Sequence, residues 1–318
     1  MNLLMTRLPD CLCPRQYRGY VQKDQMLKEA SFNTGTVKIH FVEGPPSGPP
    51  LVLLHGLPGR WQEFIPLMPT LSLQWHIYAL DLRGQGKSGR TSGQYQSKFY
   101  IADVEQFQRQ HLDEPAILFG LSAGGAVALA VAAKCPELVR AIVVGDPPID
   151  MEELVAWMTS EGFKYWFSAL RELTGLDLSI AELSRRIADI PVQVPEHDAP
   201  IRYGDSPGVD AIQILELATT LSHMDSGVLE YHAEGRAKEF LEGFDLDQIL
   251  ARITCPVLLL QGNPSLGGMM TNEVIMHVQS ILPNAMHVLI ETADHGLGMD
   301  TWEVAPVLRA VTSFLESL

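Results

Sequence analysis

The chain is short of cysteine. Its 318 residues include 4 cysteines (Cys11, Cys13, Cys135 and Cys255), and no pairing of cysteine or histidine has the spacing of a zinc site. So few cysteines in a chain of this size exclude a disulfide framework, and reduced thiols are expected. The sequence therefore predicts no structural metal and no metal-based cofactor.

Positive charge is also scarce. The 23 Lys and Arg residues face 38 Asp and Glu residues, which gives a formal net charge of -15, and no Lys/Arg-rich run offsets this excess. A strongly acidic surface repels phosphate backbones and anionic lipid headgroups. We therefore expect no nucleic-acid partner and no membrane partner. A small-molecule substrate is the partner that we expect, and the sequence predicts nothing about the oligomeric state.

Long apolar runs are missing as well. The longest, residues 116–133, is broken by Gly120, Ser122, Gly124 and Gly125, so it predicts a buried strand that turns into a buried helix rather than a membrane span. The first residues of the chain lack the apolar stretch of a signal peptide. These two observations lead us to expect a cytoplasmic protein.

Apolar residues, at 46% of the chain, suffice for one large domain or two ordinary ones. Short runs of leucine and β-branched residues alternate with helical patterns, which indicates an α/β fold with a mainly parallel sheet covered on both faces. The predicted strands are 27–34, 37–43, 50–55, 76–81, 115–120, 139–145, 256–261 and 286–291. The predicted helices are 60–71, 95–111, 123–134, 271–282 and 301–317.

Residues 150–245 interrupt this alternation and predict an all-helical insertion, which we call the cap. The expected boundaries are 1–149 for the first part of the sheet domain, 150–245 for the cap and 246–318 for the second part of the sheet domain. Helix-like stretches at 151–169 and 210–223 fill much of the cap, and a proline-rich segment at 190–208 divides them. Five aromatic residues in the first stretch are expected mainly to pack, although some could line a pocket beneath the cap. These residues are Trp157, Phe163, Tyr165, Trp166 and Phe167.

A serine with small neighbours lies between a predicted strand and a predicted helix. Gly120, Ser122 and Gly124 form a G-x-S-x-G pattern, in which the tight turn needs small residues two positions before and after the serine. The start of the following helix favours developing negative charge. The same pattern surrounds Ser206, but no strand is predicted before it, and Pro207 has no N–H to offer an oxyanion. Ser122 is therefore the predicted nucleophile.

Two further turns supply groups that such a serine needs. The glycine-dense turn 55–59 leaves the end of a predicted strand and can aim the Leu57 N–H at the point where the Ala123 N–H also points, which predicts an oxyanion hole. His295 follows the last predicted strand, at the edge where ligands bind in open α/β sheets, and is the predicted general base. His55 is expected to stabilise its turn instead of acting as a base.

The third member of the constellation is a carboxylate that orients the imidazole. The predicted strand 256–261 is followed by residues 261–265, which hold no carboxylate. Asp146 follows Ser122 by one strand-helix-strand unit, so it should lie on a neighbouring strand. Asp146 is therefore the predicted acid, and the alternative is an aspartate that starts a turn ahead of two prolines.

With these motifs the chain resembles the α/β-hydrolase superfamily over nearly its whole length. The motifs are His55-Gly56, residues 81–88, residues 120–124 and residues 294–296, in the order typical of that superfamily. The resemblance implies an eight-stranded sheet, a helical cap after the sixth strand and a Ser-His-acid triad without a cofactor. The family usually places its acid after the seventh strand, where this chain has Asn263 and Ser265, but some members take it from the end of the sixth, as Asp146 would be.

The expected activity is the hydrolysis of a carboxylic ester or lactone through an acyl-enzyme. Ser122 attacks the acyl carbon, His295 takes and returns the proton, Asp146 orients His295, and the Leu57 and Ala123 N–H groups hold the oxyanion. One alternative is a serine-dependent amide or C–C bond hydrolase or lyase at the same site. Another is a catalytically weak homologue that binds a ligand. Family members with epoxide hydrolase or dehalogenase activity usually carry Asp at the nucleophile position, which argues against those reactions.

Overall fold

The computed structural model describes residues 27–194 and 199–318. The predictions about Cys11, Cys13 and the N-terminal residues lie outside the described residues. The two other cysteines are free thiols. In the part of the chain that is described, no helix is both long enough and apolar enough to cross a membrane.

Eight strands form a single sheet in which most neighbours run parallel, which confirms the predicted fold class. The strands of the sheet are β1 (Lys28–Asn33), β2 (Lys38–Glu43), β3 (Pro50–Leu54), β4 (His76–Leu80), β5 (Ala116–Leu121), β6 (Val139–Gly145), β9 (Val257–Gly262) and β10 (Met286–Ile290). Their order across the sheet is β1-β2-β4-β3-β5-β6-β9-β10. Strand β2 pairs antiparallel with β1 and β4, and the remaining pairs are parallel.

The central strands are buried along their whole length. Every residue of β3, β5 and β9 is buried, because helices cover both faces of the sheet. This is why these strands are continuous apolar runs in the sequence instead of alternating ones. Two separate apolar clusters lie on the two faces, and the larger one includes residues of the segment between β6 and β9.

Twelve α-helices accompany the strands within the described residues. They are α1 (Met68–Leu71), α2 (Ser97–His111), α3 (Ala123–Lys134), α4 (Met151–Thr159), α5 (Glu161–Leu173), α6 (Ile180–Ala188), α7 (Ala211–Ser222), α8 (Glu230–Ala233), α9 (Ala237–Phe240), α10 (Leu246–Leu250), α11 (Asn272–Ile281) and α12 (Ala305–Glu316). Helix α3 is almost entirely apolar and packs against β5 and β6, and this buried packing holds the turn at Ser122 in place.

Two predicted helices differ from the expectation at prolines: one is divided, and the other begins later in the chain. The predicted helix 60–71 consists of a 3-10 turn at Trp61–Phe64 and the separate helix α1, with Pro66 between them. Proline inside a helix removes a hydrogen bond and clashes with the preceding turn. The predicted helix 301–317 begins only at Ala305, where Pro306 occupies the first turn, the helical position that proline tolerates.

The prediction of an all-helical segment between β6 and β9 is wrong in one detail. Two short strands, β7 (Pro191–Val192) and β8 (Ile201–Arg202), pair antiparallel within the proline-rich stretch. Proline restricts its own backbone and that of the residue before it to extended or turn conformations, so this stretch forms a hairpin instead of a helix. The helical stretch 151–169 is also divided, because the Ser160 side chain caps a new helix by accepting the Phe163 N–H.

Candidate active site

Ser122 lies on the sharp turn between β5 and α3. Its backbone has φ 50° and ψ −122°, a left-handed conformation that residues with a side chain rarely adopt. The turn is held by the Ser122 N–H, which donates to the Gly145 carbonyl at 2.8 Å. Any side chain at Gly120 would collide with the Gly124 backbone, and one at Gly124 would collide with the end of β3. The two glycines therefore make this turn possible.

Asp146 follows β6 and is fully buried. Its Oδ1 accepts the N–H groups of Gly262 at 3.0 Å and Met270 at 3.1 Å. Its Oδ2 accepts the Met269 N–H at 2.7 Å and lies 2.8 Å from Nδ1 of His295. A carboxylate with this many donors is held in one orientation. Because the ionised carboxylate can only accept, Nδ1 carries the proton and Nε2 of His295 is left as an acceptor.

Asp146 has a strained backbone, and the two residues after it are prolines, which restrict the chain. Asp146 itself has φ 43°, a left-handed conformation that Asp tolerates better than most residues. Pro147 and Pro148 follow it directly, and α4 begins only a few residues later at Met151. The carboxylate is thus fixed from β6, β9 and the loop after β9, not from the helices that follow it.

Asn263, which lies where the family usually has its acid, has a structural role. Its Nδ2 donates to the Glu291 carbonyl at 2.8 Å. Its Oδ1 accepts the N–H and the hydroxyl of Ser265, at 3.0 and 2.8 Å. The bonds to Ser265 hold the loop after β9 together, and the bond to Glu291 joins it to the loop after β10. Nδ1 of His295 is bonded to Asp146 instead. Of the two residues that the sequence left in competition, the structure places Asp146 against His295.

The turn after β3 leaves one backbone N–H free beside Ser122. The Gly56 N–H donates to Glu63 and the Gly59 N–H donates to Gln85, both at 2.9 Å, and Pro58 has no N–H. Within residues 27–194 and 199–318, the N–H groups of Leu57 and Ala123 donate to no protein acceptor. Both residues line the same cavity as Ser122, as the predicted oxyanion hole requires.

His55 holds this turn in place. Its Nδ1 lies 2.7 Å from the Gly56 carbonyl, and its Nε2 accepts the Leu82 N–H at 2.9 Å. Complete burial lowers the pKa of His55, so its imidazole is neutral, with the proton on Nδ1. Both ring nitrogens are therefore occupied, which agrees with the expectation that His55 stabilises the turn and is not a base.

The motif at residues 81–88 also has a structural role. Asp81 accepts the N–H groups of Trp61 and Lys87, both at 2.9 Å, and so links the loop after β4 to the loop after β3. Arg83 forms a buried two-pronged ion pair with Asp103 of α2, at 2.6 and 2.7 Å. This motif fixes the surroundings of the site and contributes no side chain to the cavity except Leu82.

Ser122 and His295 open onto one cavity of about 170 Å³ between the sheet edge and the segment that follows β6. Leu57, Ala123 and Met269 line it next to them. Of the five aromatic residues expected mainly to pack, three line this cavity: Trp157, Phe163 and Phe167. The other two do not, since Tyr165 is half-exposed and Trp166 packs against Tyr203 with ring centres 4.6 Å apart.

Glu63 is a neighbour of the site that the sequence gave no reason to single out. Its Oε2 accepts the Gly56 N–H, and burial raises the pKa of its carboxyl to about 7. Glu63 falls in the predicted helix 60–71, where a glutamate is an ordinary surface residue. Its place beside the site becomes visible only when the 3-10 turn folds against the loop after β3.

Ser206 is remote from this arrangement. It follows β8 and a 3-10 turn at Tyr203–Asp205, has an extended backbone, and directs its hydroxyl to the Arg202 carbonyl at 3.5 Å. It does not line the cavity that contains Ser122. No cluster of three or more His, Cys, Asp or Glu side chains that could hold a metal ion occurs in the described ranges.

Comparisons with known proteins agree with this architecture. Residues 49–193 match the family model described as "alpha/beta hydrolase fold". The chain is 27% identical over 277 residues to 2-(acetamidomethylene)succinate hydrolase of Mesorhizobium japonicum, a match that covers 85% of this chain and 89% of the relative.

Solved structures show the same likeness at the level of the fold. The structure of an E-2-(acetamidomethylene)succinate hydrolase superposes with a TM-score of 0.69 at 24% identity, covering 92% of this chain and all of that one. A carboxylesterase from Bacillus subtilis superposes with a TM-score of 0.64 at 21% identity, covering 92% and 93% of the two chains. The sheet order and these superpositions show that the chain has the α/β-hydrolase fold, and residues 49–193 match the family model of that fold.

Proposed function

We propose that the protein is a serine hydrolase that cleaves a carboxylic ester or lactone through an acyl-enzyme on Ser122. The observation that carries this proposal is the 2.8 Å contact between His295 and the buried Asp146, at the edge of a cavity that Ser122 also lines. The contact leaves Nε2 of His295 as the acceptor on the cavity side, which is the tautomer that a general base for a serine hydroxyl requires.

The first half of the reaction forms the acyl-enzyme. As the Ser122 oxygen attacks the acyl carbon, its proton passes to Nε2 of His295. The resulting imidazolium is stabilised by the Asp146 carboxylate. The carbonyl oxygen becomes an oxyanion and accepts the N–H groups of Leu57 and Ala123. Each such donor is worth about 3 kcal/mol of transition-state stabilisation in hydrolases of this kind. His295 then returns the proton to the leaving alcohol.

The second half releases the acyl group. Water takes the place of the alcohol, His295 removes its proton, and attack on the acyl carbon restores the Ser122 hydroxyl and frees the acid. We propose that residues 150–245 form a cap that shields these steps from bulk water. Several helices of that segment contribute side chains to the cavity, such as Trp157 from α4 and Phe240 from α9. This lining supports the role of a cap.

Amide hydrolysis at the same site is the second candidate, and the relative named 2-(acetamidomethylene)succinate hydrolase favours it. A succinate carries two carboxylates, which ordinarily bind to Arg or Lys. The described residues that line the cavity include no Arg or Lys. The lack of a cationic side chain in this lining favours an ester with an uncharged acyl group over a dicarboxylate as the substrate of the present chain.

A serine-directed probe tests the proposed function. A fluorophosphonate should label the wild-type protein and leave the Ser122→Ala variant unlabelled, and Ser206→Ala is the matched control that should keep full labelling. Ser122→Ala should also abolish hydrolysis of p-nitrophenyl esters, while Ser206→Ala should not change it. Undiminished hydrolysis by Ser122→Ala would contradict the proposal. A panel of esters and the matching amides, assayed with the wild type, separates the two candidates.

A further inference from the structure

The loop after β3 lies between two cavities. Leu57 lines the cavity that contains Ser122, whereas Pro58 and Gly59 line a second cavity of about 450 Å³. Glu63 lines this second cavity and not the first, and it reaches the loop from the 3-10 turn that follows. Its carboxyl group therefore contacts the loop without facing the place where a substrate would react.

Gly56 is held through both of the peptide units that it joins. Its N–H donates to Oε2 of Glu63 at 2.9 Å, and its carbonyl lies 2.7 Å from Nδ1 of His55. The carbonyl of Gly56 and the N–H of Leu57 belong to one planar trans unit, so the two groups point in opposite directions. The backbone torsions of Gly56 therefore set the direction in which the Leu57 N–H points.

The backbone of Gly56 is restrained by these bonds more than by its own sterics, because glycine lacks a Cβ. A residue with a side chain would be stiffer, but a carbon added at Gly56 would lie 3.3 Å from Cβ of Ser122, which is a tight contact. The same carbon would lie 3.8 Å from Oε1 of Glu63, so the nucleophile and this carboxyl group both approach one glycine. The hydrogen bond to Glu63 thus supplies a restraint that the glycine itself lacks.

The 3-10 turn that carries Glu63 is anchored to the sheet domain. The Trp61 N–H donates to Oδ1 of Asp81 at 2.9 Å, and Asp81 is buried at the end of β4. Phe64, the residue after Glu63, is fully buried in the apolar cluster on one face of the sheet. The acceptor of the Gly56 N–H is therefore itself held in a fixed place, as a group that orients another must be.

We propose that Glu63 is a positioning residue for the oxyanion hole, which holds Gly56 so that the Leu57 N–H points at the oxyanion formed when Ser122 attacks. This inference rests on the proposed function, because that oxyanion forms only if Ser122 attacks a carbonyl group. A donor that is held in advance stabilises the transition state more than the bound substrate. Loss of the Glu63 side chain should therefore lower kcat and leave KM nearly unchanged.

Steady-state kinetics on three variants tests this role. Glu63→Ala should lower kcat for a p-nitrophenyl ester by about tenfold to a hundredfold and change KM by less than about threefold. Glu63→Gln should recover most of that loss, because its amide oxygen still accepts the Gly56 N–H. Gln62→Ala is the matched control and should change neither constant. Gln62 lies in the same turn and lines the same cavity, and its Oε1 has no hydrogen-bond partner in the described structure.

Added formate gives a second readout that a purely structural role would not move. In Glu63→Ala the missing side chain leaves a space that adjoins the second cavity, and formate can enter it and accept the Gly56 N–H. Formate should raise the kcat of Glu63→Ala several fold over sodium chloride at the same ionic strength, and it should not change the kcat of Gln62→Ala. Thermal unfolding verifies that each variant folds. If Glu63→Ala does not, Glu63→Leu replaces it, because leucine has a similar bulk and no acceptor.

Several results would overturn the role of Glu63 while ester hydrolysis stands. They are an unchanged kcat in Glu63→Ala, an equal loss of kcat in Gln62→Ala, a rise in KM at constant kcat, and a loss that neither Glu63→Gln nor formate restores. If the wild type hydrolyses no ester, the proposed function fails. The rate of fluorophosphonate labelling of Ser122 in the same variants then decides, because the phosphonyl oxygen would accept the same N–H groups. Absence of both hydrolysis and labelling would overturn both proposals.

Discussion

Nδ1 of His295 lies 2.8 Å from Oδ2 of Asp146, a residue that is 149 positions earlier in the chain. Asp146 follows β6, which pairs with the strand before Ser122, and His295 follows β10 at the edge of the sheet. Three backbone N–H groups of the β9 end and its loop hold the same carboxylate. The acid, its imidazole and the loop after β9 thus form one hydrogen-bonded unit.

The first prediction concerns this acid. Asp146→Asn should lower kcat for an ester substrate by about 10³- to 10⁴-fold, because an amide cannot stabilise the imidazolium and favours the wrong tautomer. Asn263→Ala is the matched control and should keep activity within a few fold, since the Asn263 side chain bonds to Ser265 and to the Glu291 carbonyl and to neither Asp146 nor His295. Steady-state kinetics on both variants is the measurement. If only Asn263→Ala lost activity, Asp146 would not be the acid.

The second prediction concerns the left-handed backbone of Ser122. A residue with a side chain is strained at φ 50°, whereas glycine adopts that angle freely. Ser122→Gly should therefore be more stable than Ser122→Ala by about 1 kcal/mol, although both lack the nucleophile. Denaturant-induced unfolding of the two variants gives the difference in the free energy of unfolding. Equal stabilities would mean that the turn is relaxed.

The third prediction tests the close packing behind the nucleophile. Gly124→Ala should lose about 2 kcal/mol or more of stability and most of the activity, because its methyl group would overlap the backbone carbonyls of Leu54 and His55. The matched control is Gly162→Ala in α5, where no atom lies within 4 Å of the added carbon. That change should leave stability unaltered or raise it slightly. Thermal unfolding and kinetics of both variants check the contrast.

The fourth prediction is a pH dependence at Glu63. Burial raises the pKa of this carboxyl from 4.5 to about 7, so the folded protein retains a proton that the unfolded chain releases. Glu63 therefore lowers the free energy of unfolding progressively as pH rises from about 4.5 to about 7, by up to about 3 kcal/mol. Glu63→Gln keeps an acceptor for the Gly56 N–H but has no such proton. It should be more stable than the wild type at pH 8 and much closer to it at pH 5.

Urea unfolding at the two pH values measures this effect as a difference between variant and wild type. Glu161→Gln is the control, because the Glu161 side chain is 92% exposed. Its difference from the wild type should not change with pH. A Glu63→Gln difference that is the same at pH 5 and pH 8 would show that the Glu63 carboxyl titrates normally.

The fifth prediction concerns the ion pair between Arg83 and Asp103, whose side chains are 1% and 3% exposed. Asp103→Ala leaves a buried guanidinium without its carboxylate and should cost about 3 to 5 kcal/mol of stability. The exposed pair between Lys98 and Glu242 serves for comparison. Glu242→Ala should change stability by less than about 1 kcal/mol. Chemical denaturation measures the free energy of unfolding of both variants. A similar loss in the two would show that the Arg83–Asp103 pair is solvated.

Much of the fold was predictable because its signals are local. Strands β3, β5 and β9 are nearly continuous apolar runs, a pattern typical of strands that are buried on both faces of a sheet. The turn at Ser122 was predictable because its glycines are needed at fixed positions. Asp146 could be placed on a strand next to Ser122 because strand, helix and strand follow each other directly in the chain.

The remaining features depend on contacts between distant segments. Glu63 meets Gly56 because the 3-10 turn at Trp61–Phe64 lies against the loop after β3, and the helical pattern of the sequence gave no indication of that contact. Tyr100 and His232 have the spacing of ordinary core residues on their helices, so nothing local separates them from packing residues. Their place on the cavity wall becomes visible only when α2 and α8 face one cavity.

The two prolines after Asp146 have a consequence for how the protein can move. Pro147 and Pro148 are the direct covalent link between Asp146 and the helices that contribute to the roof of the cavity. Each ring fixes its own φ, and Pro147 also restricts Asp146. We therefore expect any movement of those helices to be taken up after Pro148, while Asp146 keeps its hydrogen bond to His295. Opening of the cavity should then leave the hydrogen bond between Asp146 and His295 unchanged.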